Sequence, residues 1–339
     1  MADVSGGGRS VSPPEDAADR AQLLLVAGLV IAVTLVVLAL TLNTVIYTEN
    51  LATRSSDVAG GDDSIRFLDA SEDAVAEIVA RANRDHNESH AALRANVSVD
   101  VDAWRNATGR SYATNGVVTN LSNRGLINGT RMLQTDGSRK FTDAAGTSTW
   151  TLADDVSGTR QFRINATNAS LANSTQTTLE SDEVFYVQLN GASAAWEVYV
   201  YKDLLASTIN VTVKNATSGV KRTPCSTGGD YAAVNVTAGT VGGESCPALS
   251  FASDLGSSYA ITYNDTETGV GDPTITGTYH LIVDDGSVAR SPGASFNDGP
   301  GNSPWADPAI YAVEYDAVYE TGRLRYSASV RVAPGETNG

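Results

Sequence analysis

From Leu23 to Leu42 the chain is almost unbrokenly apolar (LLLVAGLVIAVTLVVLALTL), and no charged residue stands between Arg20 and Glu49. About 20 residues at ~1.5 Å each span the ~30 Å hydrocarbon core of a bilayer, so the run predicts one transmembrane helix. It exceeds the ~7–15 apolar residues of a cleaved secretory signal, and it ends through residues 43–48 without a small-x-small cleavage site. Tyr47 suits an interfacial anchor. Before it, residues 1–20 are Gly, Ser, Pro and acid without an apolar period, which predicts a disordered cytoplasmic tail.

After the run the period changes twice. Gly60-Gly61 ends the first helix, and Asp62-Asp63-Ser64 offers N-cap oxygens for a second. Ile65, Leu68, Val75, Ile78, Val79 and Ala82 recur at spacings of three and four, an amphipathic stripe reaching about Asn83. Ala91, Ala92, Leu93, Val97, Val101 and Trp104 extend the helical pattern to Asn106. Beyond about Gly125 apolar and polar residues alternate instead, in segments rich in β-branched and aromatic residues. These run over 149–152, 161–165, 184–189, 196–201, 208–213, 233–237, 259–263, 275–283, 311–319 and 323–332. Asn190-Gly191 reads as a hairpin signal, and Glu320-Thr321-Gly322 as the turn between the last two strands. The predicted order is a tail (1–20), a transmembrane helix (21–48), a helical stalk (49–124) and an antiparallel, sandwich-like β domain (125–339). The class is α+β, and without a βαβ rhythm no doubly wound nucleotide fold is expected.

Composition places the β domain outside the cell. Twelve Asn-x-Ser/Thr sequons follow the apolar run and none precedes it: Asn87, Asn96, Asn106, Asn120, Asn128, Asn165, Asn168, Asn173, Asn210, Asn215, Asn235 and Asn264. That density reads as an exported, N-glycosylated domain. Basic residues flank the run evenly (Arg9 and Arg20 before it, Arg54 and Arg66 after it), so orientation rests on the sequons. The net charge is −16, from 39 acids against 23 bases; Asp supplies 26 of the acids and Lys only four of the bases. Salt screens the self-repulsion of such a surface, as in proteins of salt-loving organisms. No basic stripe exists to neutralise phosphates, which excludes nucleic acid as a partner. Cys225 and Cys246, the only two cysteines, most simply form one disulfide, worth about 3 kcal/mol by chain entropy.

The sequence offers little that reads as catalysis. His86 and His90 share the i, i+4 spacing of a metal pair, but a sequon lies between them and no HExxH motif is present. His280 falls in a predicted strand. Asp62-Asp63, Asp154-Asp155 and Asp284-Asp285 are adjacent acids, and on a strand such neighbours point to opposite faces. The stretch Asn264-Asp265-Thr266-Glu267 to Asp272 carries oxygen ligands but lacks the EF-hand register, so a solvated acidic loop is expected. The Gly/Pro-rich loop 291–308 holds one large aromatic, Trp305, expected to tuck under the sheet edge. No G-x-S-x-G elbow or P-loop occurs. No metal, cofactor or enzymatic activity is expected.

Arg20-Ala21-Gln22-Leu23 sets a basic residue, a small residue and Gln before an apolar stretch. This resembles the class III signal sequence of archaeal type IV pilin-like proteins. The resemblance implies cleavage between Ala21 and Gln22 with the helix retained. The position where bacterial-type pilins carry Glu is Val26, and Asp16 and Asp19 precede the cut. The whole chain is similar to uncharacterised single-pass surface proteins of haloarchaea, some linked to pilus-like loci, including the run Ile46 to Arg54. Gly28 and Ala32 form a small-xxx-small pair that lets a second helix approach closely. The expected protein is a non-enzymatic, single-pass cell-membrane protein with a cytoplasmic N-terminus and an extracellular bulk. Its partners would be the lipid bilayer and other pilin-like subunits, through the membrane helix. A permanently anchored binding or adhesion module is the alternative, ahead of a surface enzyme.

Overall fold

In the computed structural model the alternating segments form two sheets, and the description covers residues 61–85, 89–206, 208–265, 275–285 and 295–336. The tail, the apolar run, Arg20, Ala21, Gln22, Gly28 and Ala32 lie outside the described residues. No described helix is long and apolar enough to cross a membrane. The chain divides into two units, Met1–Ile65 and Arg66–Gly339.

Residues 61–85 are helical (α1). Asp62, Asp63 and Ser64 lie inside this helix rather than capping it, and Ser64 Oγ donates to the Gly61 carbonyl (2.7 Å). The expected stripe is shifted at its start: Ile65 is 53% exposed, while Phe67, Val75, Ile78, Val79 and Ala82 are buried. The second helix, α2 (His90–Ala113), starts at an N-cap, with the Ser89 side chain accepting from the Ala92 N–H. It buries Leu93, Val97 and Val101, a four-residue repeat that keeps one face inward.

Fifteen strands follow among the described residues. They are β1 (Val118–Gln134), β2 (Trp150–Val156), β3 (Thr159–Thr167), β4 (Asn173–Ser174), β5 (Tyr186–Gly191), β6 (Ala195–Asp203), β7 (Ile209–Asn215) and β8 (Cys225–Thr227). Then come β9 (Tyr231–Asn235), β10 (Thr240–Val241), β11 (Glu244–Ser245), β12 (Tyr259–Asn264), β13 (Gly277–Asp284), β14 (Trp305–Glu320) and β15 (Arg325–Val332). One sheet has the order β11-β10-β9-β3-β13-β1-β14-β15; the other has β2-β12-β5-β6-β7-β8, with β4 pairing β6. All pairs are antiparallel except β4 with β6. Every segment expected as a strand is one. The largest difference is β1, which begins at Val118, seven residues before the expected change of period.

The sheets face each other as a sandwich. Phe162, Ile164, Val234, Tyr279, Leu281 and Met132 on one side share a core with Val187, Leu189, Val198, Val211, Ile261 and Tyr263 on the other. A second core joins Phe67, Val75, Val79, Leu93, Val97 and Val101 of the helices to Leu121, Ile310, Val313, Tyr315, Ala317 and Tyr319. Phe67 makes ring contacts with Trp104, Tyr112 and Tyr319 at centroid distances of 5.6–6.3 Å. The expected stalk therefore packs, over its described part from Arg66 on, against the same sheet that builds the sandwich.

Both cores lie on one face of β14, and a bulge makes that possible. Ala306 belongs to the sandwich core, and Ile310, four residues on, shares its face by the two-residue strand period. Val313, Tyr315, Ala317 and Tyr319 have the opposite parity yet face the helices. The ladder explains this: Asn128 pairs with Ile310 but Ile127 pairs with Ala312, so β14 gains one residue there. Such a bulge breaks the ladder locally. The Asn83 amide of α1 takes up the loss, accepting from the Ile310 N–H (2.8 Å) and donating to its carbonyl (3.0 Å). Fully buried Arg160 donates to the same carbonyl (2.8 Å) and to that of Pro334 (2.7 Å). Pro308 sits in the half of β14 that β15 does not reach, where a missing N–H is tolerated.

Replacing Asn83 with Ala leaves the buried Ile310 N–H without its acceptor, at a cost of about 1–3 kcal/mol. Urea denaturation of Asn83→Ala is expected to read that loss, although Ala is the better helix former. Arg84→Ala, which removes only an exposed 3.4 Å ion pair with Glu77, is expected to leave stability nearly unchanged.

Candidate functional site

At one end of the sandwich the starts of β3 and β12 and the end of β5 part, and the segment 247–255 arches over the gap. The space between is a cleft of about 360 Å³. Phe162, Leu189, Val236, Leu249, Phe251 and Leu255 form its apolar walls, and Thr159, Thr237, Ser250, Ser253 and Tyr259 contribute hydroxyls. No charged side chain lines it. Tyr259 donates to Thr159 Oγ1 (2.7 Å); burial pushes its phenol up to about 12, so it stays neutral.

The arch is firmly held. Phe251 stacks on Trp196 with ring centroids 5.4 Å apart, and the Arg222 guanidinium lies 4.3 Å over the same indole. Arg222 also donates to the carbonyls of Ala248 and Ser250, both at 2.9 Å. Asn190-Gly191, expected at a hairpin turn, instead ends β5, and Asn190 pairs with Ala195 across the hairpin. A Cβ on Gly191 would meet the Leu255 carbonyl oxygen at 2.0 Å, so this glycine admits the arch rather than a turn. The expected disulfide is present: Cys225 in β8 joins Cys246, just after β11. Since β8 and β11 border different sheets, the bond clamps the sandwich along that side. The lining is uncharged and largely apolar, with no base beside a nucleophile.

The remaining expected residues are not brought together into one site. Asp284 accepts from the N–H groups of Ser157 (2.9 Å) and Gly158 (2.8 Å) and from Ser157 Oγ. Asp285 accepts from Thr130 Oγ1 (2.7 Å) and pairs with His90 Nε2 (3.1 Å). Both carboxylates are buried, and each ties a different element to β13. Asp154 and Asp155 are exposed. His86 lies outside the described residues, as does the stretch 266–274; Asp265 is buried. Trp305 is buried, but as the first residue of β14, paired with Leu133 of β1, rather than in a loop under a sheet edge; it donates to Asp307 (2.9 Å), which also pairs with Arg131 (2.9 Å). Among the described residues no group of three or more His, Cys, Asp and Glu side chains is placed to hold a metal.

The sequons divide by accessibility. Asn106, Asn120 and Asn173 are exposed. Asn210 is buried, and its amide donates to Asp203 (2.9 Å). The Asn168 amide donates to the Gly229 carbonyl (2.7 Å), and Asn264 Nδ2 is buried. Asn128 Oδ1 accepts from Arg94 (3.3 Å). Asn87 lies outside the described residues. Asn96, Asn165, Asn215 and Asn235 are half-buried.

Residues 17–128 match a family of unknown function (DUF7261). The match spans about a third of the chain, taking in the apolar run, both helices and β1 up to the bulge. No curated protein and no solved structure matches the chain.

His280, on the outer face of β13, titrates in a way the sequence does not reveal. Burial, with the nearby charges of Arg131, Arg163 and Arg160, lowers it from 6.5 to about 4. The unfolded chain therefore takes up this proton first as pH falls. The corresponding stability is full above pH 6.5 and is lost between 6.5 and about 4. Urea midpoints measured across that window are expected to depend less on pH in His280→Gln than in the parent chain.

Proposed function

We propose that this chain is a membrane-anchored structural protein of the cell surface, a minor pilin-like subunit or accessory of a pilus-like assembly. One observation carries the reading. The helix that follows the apolar run in the chain lays its apolar stripe on the face of an antiparallel sheet, through Phe67, Val75 and Val79 against Tyr315 and Tyr319. Such packing makes a helix a rigid handle for a β head. The Arg20-Ala21-Gln22 entrance supplies a processing signal, and Gly28 and Ala32 a surface on which the helix meets lipid or a second subunit. The acid-rich composition and the exposed sequon residues Asn106, Asn120 and Asn173 fit an extracellular, glycosylated head. The uncharged cleft favours a second reading, a binding module that stays in the membrane.

Peptide mass spectrometry of the protein isolated from cells separates the two readings. The pilin-like reading expects a mature chain beginning at Gln22, recovered with sheared filaments. A chain that still begins upstream of Ala21 and stays with the membranes contradicts it. The same digest is expected to carry glycans at Asn106, Asn120 and Asn173. It should carry none at Asn210, where the side-chain amide is already used by Asp203.

A further inference from the structure

The hairpin between β6 and β7 presents Leu204 and Leu205 to solvent at 62% and 88% exposure. Asp203 builds the tip: its carboxylate accepts from the N–H groups of Leu205 and Ala206, both at 2.8 Å, and from Asn210 Nδ2 (2.9 Å). The Leu204 N–H donates to the Ser174 carbonyl (3.0 Å). Asn210 Oδ1 in turn accepts from Ser226 Oγ (2.7 Å). The two leucines are thus fixed outward on a pre-organised turn, while the adjacent carboxylate is occupied by three donors. Two leucines left in water favour burial against an apolar surface, and nothing in the described chain covers them.

The strand register puts this turn and the cleft at opposite ends of the sandwich. The cleft is lined by Leu189, whose ladder partner Trp196 lies at the start of β6. The turn follows directly on Asp203, the last residue of β6. Nine residues of strand at about 3.3 Å each separate the two ends of β6 by roughly 27 Å, so the turn does not reach its own cleft.

We propose that the Leu204–Leu205 turn of one copy seats in the Thr159–Tyr259 cleft of a second copy, joining heads end to end. An empty space of about 150 Å³ takes one benzene-sized group, so the cleft of about 360 Å³ has room for both leucines. Charge selects the same pairing. Two copies, each at −16, repel except where they meet through uncharged patches. The cleft has no charged lining, and the Asp254 carboxylate beside Ser253 faces Arg222 (3.8 Å). A knob and a socket at opposite ends make a heterologous contact, which propagates as an array rather than closing as a symmetric dimer. The contact goes beyond the proposed function and holds whether or not the N-terminus is processed.

Cysteine cross-linking of the full chain in its own membrane tests it. The two native cysteines are joined to each other, so introduced thiols are the ones available. Copies carrying Leu205→Cys are mixed with copies carrying Ser253→Cys and treated with a short bismaleimide. The expected result is a dimer in the mixture, none from either variant alone, and a ladder when both changes are in one chain. Adding Leu204→Ser is expected to cut the yield at least tenfold. Self-cross-linking of Leu205→Cys as efficient as the mixed reaction would replace the array with a symmetric contact and overturn the proposal. A mixed yield no higher than that of a Leu205→Cys and Ser218→Cys pair would also overturn it. So would binding of the neutral dye N-phenyl-1-naphthylamine in the cleft without cross-links, which makes the cleft a small-molecule site.

Discussion

The fold depends on a single extra residue in β14. Without the step between Ile310 and Ala312, the strand that faces the sandwich through Ala306 would turn Val313, Tyr315, Ala317 and Tyr319 away from the helices. A one-residue slip moves every later side chain to the opposite face. The bulge lets one pair of long strands, β1 and β14, serve two cores in succession. The buried backbone groups it leaves out of the ladder are satisfied by Asn83 from the helix on one side and Arg160 from β3 on the other. Helices and sandwich are tied together at the point where the ladder is broken.

The strands of the sandwich were legible because their alternation is regular. Trp196 to Tyr201 and Thr208 to Val213 carry β-branched and aromatic residues, turning Trp196, Val198, Val211 and Val213 to the opposite sheet and burying Tyr199 and Tyr201 on the other face. β1 was not legible, although it is an interior strand of its sheet, between β13 and β14. Its sequence, VTNLSNRGLINGTRMLQ, is interrupted by two glycines and two sequons, and two register shifts break its period. Reading Ile65 into the helix stripe and omitting Phe67 followed from spacing alone; the aromatic partners Trp104, Tyr112 and Tyr319 that select Phe67 come from distant segments. Asn83 carries no local mark, since its role is defined by Ile310, 227 residues away.

The site followed the same division. The disulfide was readable from a count of two cysteines; the burial of Trp305 was expected, but not its place in β14, because the Gly/Pro-rich stretch before it carries no strand pattern. The cleft was not readable, because its walls come from β3, β5 and β12, the residues after β9 and the arch. The exposed leucines lie between the expected strands 196–201 and 208–213 without any motif of their own, and only the geometry of the Asp203 turn sets them outward. Sequon density pointed outward as a whole, but Asn210 shows that one motif can also sit in a core strand, where its amide serves the Asp203 turn. The family match ends at Asn128, at the bulge, so the matched part takes in the apolar run, the helical pair and the stretch of β1 that packs against the helices.

Native-state hydrogen exchange tests the shared ladder most directly. If the bulge makes helices and sandwich one cooperative unit, the slowest amides of α2 around Val97 and Val101 open with the same free energy as those of β13 around Leu281. Both sets should then lose protection together in Asn83→Ala. Helix amides that open several kcal/mol more readily than the β13 core would contradict the account, leaving the helical pair as a separately unfolding attachment to an independent sandwich.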